Sequence, residues 1–137
     1  MPRIAYLGPE GTFTEAALLK ISASGLVPGD SSPDDMTPIP TESTPAALAA
    51  VRSGDADYAC VPIENSIEGS VLPTLDNVAT GTPLQIFAEL TLDVSFSIVV
   101  RRGTPAAEVA TVAAFPVAAA FELAGTTWAL GRCAVSQ

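Results

Sequence analysis

The sequence predicts an α/β fold with a mainly parallel sheet. Across residues 4–61, short apolar segments alternate with helix-forming segments in the order strand, helix, strand, helix, strand. The connections between them are short, which implies parallel strands joined by right-handed crossovers with the helices packed on the sheet. Composition agrees. Of 137 residues, 48% are apolar and 15% charged, a balance too hydrophobic for a disordered chain, and the length suits one modest core.

The first strand is read at residues 4–7 and the first helix at 12–24. Thr12 and Glu15 stand at capping-box spacing before the helix, and Gly25 stops it. Residues 28–38 are rich in Pro, Asp, Ser and Gly and predict an exposed loop leading into a short strand near Ile39. Ser43 then serves as N-cap and Pro45 as an early helical proline for an alanine-rich helix that reaches Arg52 and ends at Gly54. Residues 56–61 form the third strand. A short helix is expected over 71–79 and a long strand region over 84–100, where Leu92, Val94, Phe96 and Ile98 alternate with Asp93, Ser95 and Ser97. Arg101-Arg102-Gly103 closes that region. Beyond it a helix start at 105–108, a strand at 111–115 and a further helix from 116–122 are predicted.

The formal charge of −9, with only six Lys and Arg, argues against nucleic acid and anionic membrane as partners, since both require clustered basic residues. Absence of histidine excludes Ser-His-Asp, Cys-His and His-zinc chemistry, and no metal site is expected. Cys60 and Cys133 are read as buried thiols. The longest apolar run, residues 112–121, falls short of the roughly 20 residues that a spanning helix needs. The expected location is the cytoplasm. Arg52, Asp55 and Asp57, which surround Gly54, read as solvated surface residues.

The richest chemistry follows the third strand. Val61-Pro62-Ile63-Glu64-Asn65-Ser66-Ile67-Glu68-Gly69-Ser70 gathers carboxylate, amide, hydroxyl and flexible backbone at the carboxyl end of a parallel sheet, where open α/β folds bind ligands. From residue types alone, Glu64, Asn65 and Ser66 fit a turn or cap as well as a binding loop. The turn Gly8-Pro9-Glu10-Gly11-Thr12 likewise fits either a tight turn with a cap or a helix-start anion seat with free N–H groups. Ser43 is an N-cap, and a helix N-terminus is also an anion site.

This loop, together with Leu7-Gly8-Pro9-Glu10-Gly11-Thr12-Phe13-Thr14 and the intervening Thr41-Glu42-Ser43, resembles the amino-terminal part of the prephenate dehydratase family. The resemblance runs from about Arg3 to about Ala120. It implies a periplasmic-binding-protein-like lobe in residues 1–82, then linker strands and an incomplete second lobe in 83–137, with a tail that diverges from about residue 121. It also implies conversion of prephenate to phenylpyruvate, water and carbon dioxide in phenylalanine biosynthesis, with no cofactor and with a homodimer as the common assembly. Thr12, Ser43, Asn65, Ser66, Gly69 and Ser70 are then substrate-binding and Glu64 catalytic, orienting the ring or its hydroxyl; the role of Glu68 is left open.

The family's Thr-Arg-Phe motif, whose threonine is associated with departure of the hydroxyl, does not occur in these 137 residues, nor does the family's regulatory domain. Thr126-Thr127-Trp128 does not replace the motif. Two functions therefore stand side by side: a truncated enzyme with impaired turnover, and a non-catalytic carboxylate-binding or interaction module on the same fold.

Overall fold

The computed structural model describes residues 1–28, 33–65, 69–94, 97, 99–113 and 134–136. The chain divides into two units, one comprising Met1–Asn65 and Ser70–Asp93, the other Ser66–Gly69 and Val94–Gln137. The first unit contains strand β1 (Arg3–Leu7), helix α1 (Phe13–Ala23), β2 (Thr37–Thr41), α2 (Thr44–Ser53) and β3 (Tyr58–Cys60). After the two-residue strands β4 (Glu64–Asn65) and β5 (Gly69–Ser70) comes α3 (Leu72–Ala79). In the second unit a short 3-10 turn, Ala106–Glu108, precedes β6 (Thr111–Ala113), which pairs in parallel with β7 (Ala134–Ser136).

The central sheet is parallel with order β2-β1-β3. Because β2 and β3 lie on opposite sides of β1, right-handed crossovers must place α1 and α2 on opposite faces of the sheet. The side chains of β1 alternate accordingly. Ile4 and Tyr6 join Leu18 of α1, Val27 and Met36 in one apolar cluster, while Ala5 joins Ala47 of α2 and Ala56 in the other. Ala5 and Ala47 are both 0% exposed, so the alanine-rich helix packs closely where β1 offers only a methyl group. Met36 is also buried, which corrects the expectation of an exposed loop up to Pro38: the segment turns inward through a 3-10 turn, Pro33–Asp35, and closes the α1 cluster.

Prolines mark β2 as an edge. Thr37 N–H donates to Pro2 O on the β1 side, so in the parallel ladder the alternate residues Pro38 and Pro40 face away from β1, where a strand can lack N–H donors without losing its ladder. The far end of the sheet is pinned by Arg3. Its guanidinium meets Asp57 at 2.9 Å and Gly54 O at 2.9 Å, and its backbone N–H donates to Asp57 at 2.8 Å.

Helix limits follow the caps. Thr12 Oγ1 accepts from Glu15 N–H, Ser43 Oγ accepts from Ala46 N–H, and Gly54 takes the left-handed conformation (φ 82°) that ends α2. The strand expected over 84–100 is not formed by the described residues of that stretch. Burial alternates only from 88 to 93, with Ala88, Leu90 and Leu92 partly covered and Glu89, Thr91 and Asp93 exposed, and stops at Val94, which is exposed. A period of two records alternating side-chain faces, and a strand also needs a backbone partner. The helix start at 116–122 and Cys133 lie outside the described residues.

Candidate functional site

Three loops leave the carboxyl ends of the parallel strands: residues 8–12 after β1, 41–43 after β2 and 61–65 after β3. The first two are tied to each other. Gly8 N–H donates to Thr41 O (2.9 Å), and Thr41 Oγ1 donates to Tyr6 O (2.8 Å) and Ser43 O (3.2 Å). An open concavity of about 350 Å³ is lined by Gly8, Pro9, Pro40, Thr41 and Glu42. It lies on the β1–β2 side, whereas the switch point, where successive connections diverge, lies between the ends of β1 and β3. Gly8 is required by close approach: a Cβ there would sit 2.8 Å from Pro40 Cβ.

In the turn at residues 8–12 the N–H groups of both glycines are already engaged. Gly8 N–H is taken by Thr41 O, and Gly11 N–H donates to the Glu15 carboxylate at 2.6 Å. Glu15 thus reaches one residue beyond the reciprocal position of a capping box. Its other oxygen accepts from the buried Tyr6 hydroxyl at 3.4 Å. Burial first, and the Glu15 charge second, push the Tyr6 hydroxyl above its ordinary pKa, so Tyr6 stays a neutral donor. Thr12 is engaged twice, donating to Leu7 O (3.2 Å) and accepting from Glu15 N–H (3.4 Å). A ligand carboxylate at Thr12 must compete with Leu7 O for the hydroxyl proton and stand beside Glu15.

Ser43 differs. Its oxygen accepts from Ala46 N–H at 3.2 Å, but among the described residues no acceptor takes its proton. It is half-buried, as is Asn65, while Glu64, Gly69 and Ser70 are exposed. The first unit therefore carries Thr12, Ser43, Glu64, Asn65 and Ser70, all at or following the carboxyl ends of its three parallel strands. Gly69 belongs to the second unit and has φ 81°. Ser66 and Glu68 lie outside the described residues.

Sequence reasoning missed the supports of the 61–65 loop. Val71 N–H donates to Ile63 O (2.9 Å), and the fully buried Thr74 donates to Pro62 O at 2.5 Å. Arg52, expected in solvent, is partly buried and donates to Asn77 O (2.6 Å), Thr80 O (3.0 Å) and Thr82 O (3.0 Å), gathering the carbonyls at the end of α3. The local signal was α3 itself, a helix with no basic residue in its last turn, which leaves a C-terminal carbonyl cluster in want of a cation.

A family model, that of prephenate dehydratase, matches residues 4–121. The chain belongs to the prephenate dehydratase family. Prephenate dehydratase of Mycobacterium leprae (strain TN) is 73% identical over 118 residues, covering 86% of this chain and 36% of the relative. That of Mycolicibacterium gilvum (strain PYR-GCK) is 71% identical over 121 residues, covering 88% and 39%. Among solved structures, prephenate dehydratase from Arthrobacter aurescens in complex with L-Phe is similar with a TM-score of 0.67 at 42% identity, covering 86% of this chain and 36% of that one. The chain thus spans little more than a third of the length of these prephenate dehydratases. The likeness bears out the expected α/β, periplasmic-binding-protein-like fold with a parallel sheet. The family is one of lyases in phenylalanine biosynthesis. Among the described residues no helix is long and apolar enough to cross a membrane.

Proposed function

We propose that residues 1–82 of this chain are the first lobe of a prephenate dehydratase catalytic domain, forming one wall of a cleft that holds prephenate, and that 83–137 lead into the second lobe. The observation that carries this reading is the convergence of the 8–12, 41–43 and 61–65 loops at one end of one parallel sheet, in a chain of this family. Prephenate carries two carboxylates and a ring hydroxyl. Breaking its ring-carboxylate bond releases carbon dioxide and sends the electron pair into the ring, which aromatises and expels the hydroxyl; one proton taken up by the departing oxygen makes water. Catalysis then consists of holding two anions in position and donating toward the leaving oxygen.

Ser43 and Asn65, both half-buried, and Ser70 and Gly69 are assigned to the carboxylates, with Ser66 as a further donor. Ser43 has the advantage over Thr12 because among the described residues its proton has no acceptor, and Thr12 serves first as the α1 cap. Glu64, exposed and acceptor-only when ionised, orients the ring or its hydroxyl. A homodimer and a cytoplasmic setting complete the reading.

The second reading is a carboxylate-binding module without turnover, resting on the same loops. One experiment separates the two: calorimetric titration of the purified chain with prephenate, alongside phenylpyruvate formation against buffer and heat-treated controls. Product above background that is lost in Glu64→Gln or Asn65→Ala supports the enzyme. Saturable uptake without product supports the module, and absence of both from a folded chain refutes the assigned site.

A further inference from the structure

The backbone of the 61–65 loop is held from one side by two hydrogen bonds, one of them from a buried hydroxyl. Pro62 has no N–H, so the root of the loop can be fixed by hydrogen bonding only through its carbonyl. That carbonyl accepts from Thr74 Oγ1 at 2.5 Å, and Thr74 is 1% exposed. One residue on, Ile63 O accepts from Val71 N–H at the start of α3 (2.9 Å). Helix α3 in turn is anchored at its other end, where Arg52 of α2 takes the carbonyls of Asn77 and Thr80. Both bonds to the loop therefore issue from a helix that cannot readily slide, and they precede Glu64 and Asn65 immediately.

We propose that Thr74 is a positioning residue, whose hydroxyl sets the backbone of residues 62–65 and through it the presentation of Glu64 and Asn65 to a bound dicarboxylate. This rests on the reading of that loop as part of the prephenate site. Thr74 does not itself touch the ligand. A purely structural hydroxyl, buried only because it has a partner, predicts a loss of stability with the loop left where it was. Positioning predicts a displaced loop and weaker binding in a chain that is still folded, and recovery of both by any side chain that restores the donor.

The test uses the whole 137-residue chain with Thr74→Val, which keeps the shape and removes the donor, and Thr74→Ser, which keeps the donor. Backbone amide resonances are recorded, and prephenate binding is measured by calorimetry. In Thr74→Val the amides of Ile63, Glu64 and Asn65 shift while those of Ile4, Ala5 and Tyr6 stay in place, and prephenate binds at least about tenfold more weakly. Thr74→Ser returns both readouts to within about threefold of the parent. Unmoved 63–65 amides in Thr74→Val, or a Thr74→Ser variant as impaired as Thr74→Val, overturn the proposal. Should Thr74→Val fail to fold, Thr74→Cys, with a weaker and longer donor, replaces it and is expected to show a smaller shift in the same amides. Failure of the parent chain to bind prephenate would sink the proposed function separately, and the amide shifts alone then decide whether Thr74 sets the loop.

Discussion

Gly8→Ala tests how closely the ends of β1 and β2 are joined beside the candidate site. The added methyl would lie 2.8 Å from Pro40 Cβ and 3.4 Å from both Pro40 Cα and Thr41 O. Pro40 Cβ belongs to a ring fixed to the backbone, so no rotamer change relieves the contact. The strand ends must part by about 0.7 Å to regain the ~3.5 Å of ordinary carbon contact. That movement stretches the Gly8 N–H bond to Thr41 O, now 2.9 Å. Overpacking costs about 1–3 kcal/mol, and weakening one backbone hydrogen bond adds about 0.5–1.5 kcal/mol. The expected destabilisation is about 3 kcal/mol, read from urea denaturation followed by far-UV circular dichroism. Gly11 supplies the contrast, because it has φ +82° and no atom within 4 Å of a built Cβ. Its substitution cost is conformational, about 1 kcal/mol for Ala. Asn tolerates that backbone better, so Gly11→Asn should be milder than Gly11→Ala, whereas Gly8→Asn should be no milder than Gly8→Ala. A Gly8→Ala variant within about 0.5 kcal/mol of the parent, or the same Ala-to-Asn ranking at both positions, would refute the close-approach argument.

Arg52→Ala should cost about 2 kcal/mol, since it strips a cation and three donors from the end of α3. Arg52→Lys should recover only part of this, because one ammonium cannot reproduce the planar fork; thermal denaturation of the two variants checks it. For Asp57, hydrogen bonds from the Arg3 side chain and backbone hold the carboxyl below its ordinary range. Its contribution is therefore present above the unfolded-state pKa and lost as pH falls through the lower folded value, so Asp57→Asn should flatten the acid side of a stability-versus-pH curve. Burial pushes the Cys60 thiol up to about 11. In a Cys133→Ser background its alkylation at pH 8 should be about a hundredfold slower folded than in urea, and equal rates would mean that Cys60 is not enclosed. Ser43→Ala should lose about 1 kcal/mol with its cap to Ala46, and Ser43→Asn should recover the stability; if the proposed site is right, prephenate binding stays weaker in both, as calorimetry would show.

What the linear sequence determined is the set of local structures whose causes are local. Thr12, Ser43 and Gly54 stop and start helices through bonds made within a few residues of themselves, and the apolar segments between them were already the right length for strands. Parallel pairing followed because such short connections leave the chain little else to do. The family motifs around Glu64 and Thr12 were legible for the same reason, as contiguous residues.

Tertiary structure alone decided what depends on partners far along the chain. Arg3 finding Asp57 54 residues away, Arg52 reaching across 25 to 30 residues to the end of α3 and Thr74 holding Pro62 across 12 are each set by how helices and strands dock. Periodicity also misled over residues 84–100, where the described residues show alternating side chains over 88–93 without the backbone partner that makes a strand. Sequence patterns record which face of an element is apolar; which polar group meets which across the fold is fixed only when the elements pack, because a hydrogen bond requires a particular atom within about 3 Å and packing determines that distance.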